Sequence, residues 1–182
     1  MAETARTTRS ARRAAVFDPS FLGDLEQLST EEVRRRRDQA FAEREFHSYL
    51  RRLLQVRQDI LTAERGRRLS GGESPSAVER VTEALSGGPR PTQSRGEALR
   101  TGLTAEDMEE AERQADAIVD QAAADDPEEL PDDELERALA SLADGERAIS
   151  NDRLAVIRVH DRLQEELKRR YREDPSEIPQ NV

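Results

Sequence analysis

Cysteine and tryptophan are absent, and aromatic residues make up only 3% of the 182 positions. The first absence removes disulfides, thiol nucleophiles and cysteine metal sites. The shortage of aromatics, with a hydrophobic content of 35%, leaves little bulky material for a broad enzyme core. Long helices meeting along narrow apolar seams need less apolar surface than a sheet or sandwich, so an all-α chain is expected. No apolar run is long enough to span a bilayer. The opening MAETARTTRSARRAAVF has no apolar stretch and an early acid, so no signal peptide is expected, and a cytoplasmic location follows from that reading. Lysine is nearly missing too: Lys168 is the only one, the remaining basic residues being arginine.

Negative charge is plentiful but unevenly placed. The formal net charge is -10, which argues against uniform attraction to nucleic acid or an anionic membrane. Residues 1–70 carry 15 basic and 11 acidic side chains, whereas residues 101–146 carry 17 acids against Arg113 and Arg137. That acidic block reads either as a solvated face or spacer, or as a surface aimed at a basic partner. The run Arg34 to Arg37 has the same ambiguity, between a solvated face and a contact with an anion or partner.

Two long helices frame the chain. Residues 1–28 are rich in Arg, Thr, Ser and Ala and are expected to be a flexible or docking tail. Ser29 and Glu32 form a capping-box pair opening the first long helix, over 29–69, with Val33, Ala40, His47, Leu54 and Leu61 recurring every seven residues. Loop punctuation (GG, SPS, SGGPRP) marks a connecting segment over 70–130, with a short helix expected near residues 76–85 and an acidic one near residues 104–123. The second long helix is expected over 131–174, with Pro131 in its first turn, followed by a tail over 175–182. The predicted fold is thus an antiparallel coiled-coil helical hairpin with short connecting helices and a flexible N-terminal tail.

The second helix has one apolar row, Leu135, Leu142, Ile149, Val156 and Leu163, and a second row with a polar centre, Leu139, Glu146, Arg153, His160 and Leu167. Gly145 reads as a local weakness. Charges at a seam must be satisfied, because an unpaired buried charge costs several kcal/mol. One solution is an ion-pair layer that sets register, with Arg44, Arg51 and Asp59 as possible partners. The other is a polar ligand between the helices.

Matched spacing favours the ligand. The first helix carries Ser48-x2-Arg51-x3-Gln55-x3-Asp59, and the second carries Glu146-x3-Ser150-x2-Arg153-x7-Asp161. Each set falls on one polar strip of its helix. The chemistry suits guanine and phosphate, since an Arg fork reaches guanine O6 and N7 or a phosphate, and Asp accepts from guanine N1 and N2. The repeated E-x3-S-x2-R-x3-Q-x3-D pattern, with HSYLRRLLQVRQDIL around the first copy and LQEELKRRYRED closing the second helix, resembles the RsiG anti-sigma factors of actinobacteria. This resemblance implies a helical hairpin that binds cyclic di-GMP, as a dimer, and sequesters a WhiG-type sigma factor to delay differentiation and sporulation. Carried over, the ligand residues are Ser48, Arg51, Gln55 and Asp59 with Glu146, Ser150, Arg153 and Asp161. Arg44 stands where the first motif has Glu, and Ile157 where the second has Gln. Arg44 could reach a phosphate and Ile157 a base face. The nearby Arg52, Arg57 and Arg158 would add positive charge for a dianion.

The resemblance implies no direct DNA contact, no membrane, and a monomer before sigma binding. Catalysis is not expected: no phosphate-binding or nucleophile-elbow motif occurs, and His47 and His160 suit polar, partly buried roles better than a metal or catalytic pair. The alternative function is a structural coiled-coil adaptor whose polar layer only sets register.

Overall fold

The computed structural model describes residues 2–71 and 103–178, with side chains from residue 9 onward. Among these residues every regular element is helical: α1 (Ala2–Phe17), α2 (Thr30–Leu69), α3 (Ala105–Ile118), α4 (Gln121–Asp125) and α5 (Asp132–Glu173), with short 3-10 turns between and after them. The short helix expected near residues 76–85 lies outside the described residues.

Local chemistry explains the ends of the long helices. Ser29 Oγ accepts the Glu32 amide at 3.2 Å and so caps α2. Only half of the expected box forms, because the Glu32 carboxylate turns to Arg35 and Arg36. Pro131 lies just before α5, its carbonyl accepting from the amides of Glu134 and Leu135, and Asp132, Asp133 and Glu134 sit at the positive end of that helix. The expected single acidic helix is two, because Asp120 leaves the helical path and caps α4 through the Ala122 amide at 2.9 Å.

The chain packs as two units. The first comprises Met1–Ser48, Gly102–Met108 and Ser150–Val182; the second comprises Tyr49–Thr101 and Glu109–Ile149. In the first unit, Val33 and Ala40 of α2 and Val156, Leu163 and Leu167 of α5 share a core with Val16 of α1 and Phe21. The pairs Arg34 with Tyr171 and Ser48 with Arg153 show that α2 and α5 run antiparallel there. In the second unit Leu50, Leu54 and Leu61 of α2, Ala111 and Ala115 of α3, and Leu135, Leu139 and Leu142 of α5 are buried. Here too the pairs Arg51 with Glu146 and Arg68 with Asp132 run antiparallel.

One expectation is corrected and two are sharpened. Residues 1–28 are not a flexible tail: α1 is helical, Val16 and Phe21 are buried, and Arg12 and Arg13 are ion-paired. Sequence reasoning missed this because the docking is ionic, and apolar periodicity does not register it. Gly145 is a point of close approach, since an added Cβ would lie 2.9 Å from Ile118 Cδ1. The arginine run is not a purely solvated face: Arg34 donates to Tyr171 Oη and to the Glu177 carbonyl, and Arg36 donates to the Phe21 carbonyl.

Candidate functional site

The polar strips fall partly in each unit. In the first unit, Arg153 Nε donates to Ser48 Oγ at 2.9 Å, and the same hydroxyl donates to the Arg44 carbonyl one turn earlier on α2 at 2.8 Å. Ser48 therefore links a motif arginine on α5 to the backbone of α2. Arg44 lies over the Phe41 ring, 4.6 Å from its centroid, and pairs with Glu45 at 3.0 Å. Ser150 and Ile157 are half-buried, and Asp161 is exposed with its Oδ1 3.3 Å from His160 Nδ1.

In the second unit, Arg51 Nε donates to Glu146 Oε1 at 2.5 Å. The two side chains are 38% and 21% exposed, so the pair sits at the edge of the seam and not inside it. That removes the desolvation problem posed by a charge at a heptad core position. Gln55 is half-buried and Asp59 exposed on the same helix. The structure thus brings together Arg51 with Glu146 and Ser48 with Arg153.

A polar row escaped the sequence reading. Glu43, Leu50, Arg57 and Glu64 recur every seven residues on α2, and all are buried. Arg57 was expected to lend charge to the ligand strip. Instead its guanidinium lies under the end of α3, donating to the Val119 carbonyl at 2.6 Å, to Gln121 Oε1 at 3.0 Å and to Asp116. Glu64 accepts from Arg67 and Arg68; the Arg67 hydrogen bond leads the effects that hold its carboxyl below the usual range. Arg68 extends this chain to Asp132 at 2.6 Å and to the Pro127 carbonyl at 2.9 Å. The signal was available as a second heptad row, but its charges disguised it.

The histidines are polar packing groups. His47 is 2% exposed, its Nδ1 lies 2.9 Å from the Glu43 carbonyl, and Phe17 and Phe46 meet its ring edge-on. Burial pushes its pKa down, against the opposing pull of Glu43 and Asp152. His160 stacks at a tilt on Phe41, 6.1 Å away. Among the described residues no group of His, Asp and Glu is arranged to hold a metal ion.

Residues 19–85 match the family model described as RsiG-like. The chain carries an RsiG-like region. The match takes in all of α2, with the first motif, whereas the second motif on α5 lies beyond it. The match covers 67 of the 182 residues, so the similarity is that of this region alone. No curated protein matches the chain. No helix among the described residues is long and apolar enough to cross a membrane.

Proposed function

We propose that this chain is an anti-sigma factor whose paired helix motifs bind cyclic di-GMP, as a dimer, and that in the loaded state it sequesters a WhiG-type sigma factor. The observation that carries the reading is that a motif arginine from each long helix, Arg51 and Arg153, is held by a motif residue of the opposite helix. Each guanidinium is oriented by its Nε, and a guanidinium has further N–H donors of the kind that fork onto guanine or phosphate. Positioned arginines and a dianionic ligand suit each other within an otherwise acidic protein.

The acidic stretch of residues 101–146 complements this reading, because sigma factors use basic surfaces to meet promoter DNA. Four of its exposed acids, Glu109, Glu112, Asp125 and Glu128, reversed to Lys should weaken sigma binding steeply at low salt.

The test of the nucleotide reading is thermal unfolding with cyclic di-GMP. Binding to the folded state alone stabilises by about 2.7 kcal/mol when the free ligand is 100 times Kd. A saturable rise in Tm, abolished by Arg51→Ala and by Arg153→Ala, and capture of the sigma factor only with the nucleotide, supports the proposal. The Arg51–Glu146 ion pair also favours a second reading, a coiled-coil adaptor in which the polar layer sets register. No Tm shift at nucleotide far above micromolar, with Glu146→Gln altering helix pairing, would select the adaptor.

A further inference from the structure

The first unit contains a cleft that the motifs do not use. Its walls are three carboxylates from three elements: Glu43 on α2, Asp107 in the first turn of α3, and Asp152 on α5. Glu43 is 0% and Asp107 4% exposed. Asp107 is held in place by reciprocal capping, accepting from the Thr104 amide while its own amide donates to Thr104 Oγ1. Phe46 and His47 complete the cleft.

In this structure α1 occupies the cleft. Arg12 bridges Glu43 at 3.2 Å and Asp107 at 2.8 Å, and Arg13 reaches Asp152 at 3.2 Å. The Arg9 guanidinium carbon lies over Phe46, 3.4 Å from the ring centroid, with Glu43 at 3.7 Å. Phe17 meets His47 edge-on at 5.9 Å. Among the described side chains of α1, Val16 is buried, Ala15 packs beside it, and Phe17 is 37% exposed.

Two physical facts follow. Buried carboxylates need cations, because an uncompensated one costs several kcal/mol, so the cleft demands an arginine-bearing occupant. Yet α1 fits it incompletely, since the buried Oε1 of Glu43 has no hydrogen bond while Oε2 takes the Arg12 donor. A short helix is marginal alone, and one held mainly by ion pairs yields to a competitor that satisfies Glu43 better. We infer that α1 is a displaceable strap over a docking site for an arginine-bearing amphipathic helix of a protein partner. Such a helix would enter with the R-x2-RR-x2-VF spacing that α1 shows from Arg9 to Phe17 and would place a full guanidinium fork on Glu43.

The experiment uses the full chain and a fluorescent peptide of residues 2–17. Arg12→Glu with Arg13→Glu releases the strap, and the peptide then binds in trans at least about tenfold more tightly than to the unaltered chain, whose cleft is filled. Adding Glu43→Gln to that variant lowers the peptide's affinity again. A second peptide that keeps only Arg9, Arg12, Arg13, Val16 and Phe17 among alanines binds within about threefold of the first, because recognition lies in those side chains. In the unaltered protein, saturating peptide accelerates amide exchange of α1 while that of α5 is unchanged. Equal peptide binding to variant and unaltered chain, with α5 still protected, overturns the inference, as does α1 protection that excess peptide leaves unchanged.

Discussion

Replacing Arg57 by Met tests whether a buried guanidinium anchors the acidic connection to α2. The arginine side chain is 5% exposed and donates to Val119, Gln121 and Asp116. Methionine keeps much of the apolar stem and removes the donors. Asp116 is 48% exposed and regains water, so its loss of a partner adds little. The Val119 carbonyl is less fortunate: a buried acceptor without a donor costs about 1–3 kcal/mol, and lost packing adds to it. The expected destabilisation is about 2–3 kcal/mol, or a fall in Tm of about 5–10 °C for a chain of this size. Urea titration followed by circular dichroism measures it. Arg57→Lys should recover less than half, because one ammonium cannot reproduce a fork aimed at three acceptors. A loss below about 0.5 kcal/mol for Arg57→Met would refute the anchoring argument, since that is the scale of an ordinary surface substitution.

Gly145→Ala sets about 1 kcal/mol of helix propensity against a Cβ 2.9 Å from Ile118 Cδ1 and 3.1 Å from Cγ2. Overpacking of this kind costs about 1–3 kcal/mol, so the variant should be less stable, and Ile118→Val should restore part of the loss in a double-mutant cycle. A full propensity gain in the single variant would show that the contact yields freely. Acid should act first through His47. Burial lowers its folded-state pKa beneath the unfolded value of 6.5, so the unfolded chain binds more protons; stability is complete above 6.5 and falls as pH drops through the folded value. Glu43, Asp152 and Arg13 face the ring, and the His47→Gln variant should show a flatter urea midpoint between about pH 7 and 5. Glu32 and Glu166, both lowered to about 2 chiefly by hydrogen bonds from Arg35 and Arg169 respectively, contribute above their ordinary 4.5 and lose that contribution as pH falls toward 2. An acid limb unchanged by Glu166→Gln would contradict that assignment.

The long helices were legible because their signals are local. Seven-residue spacing, an acid-rich first turn and a serine cap act within a few residues, and α2 and α5 follow them from Thr30 to Leu69 and from Asp132 to Glu173. The polar motifs were legible for the same reason, since spacing alone puts Ser48 and Arg51, or Ser150 and Arg153, on one strip of a helix. Arg57 and Glu64 were not legible. A charged residue at a heptad position reads as surface unless its partner is known; those of Arg57, namely Val119, Gln121 and Asp116, lie far along the chain, whereas Glu64 pairs with its own neighbours Arg67 and Arg68.

By itself the sequence determined an all-α chain with thin seams, two matched polar strips and an acidic stretch between the long helices. Only the tertiary structure decided how the charges are shared. It took Arg57 from beside the expected ligand strip to the underside of α3, placed Arg51 on Glu146 and Arg153 on Ser48, and turned the supposed tail into a helix whose arginines neutralise two buried carboxylates. The physical reason is that helix periodicity is set by neighbours a few residues apart. The pairing of a long, flexible arginine is set by whichever acceptor packing brings within reach and removes from water.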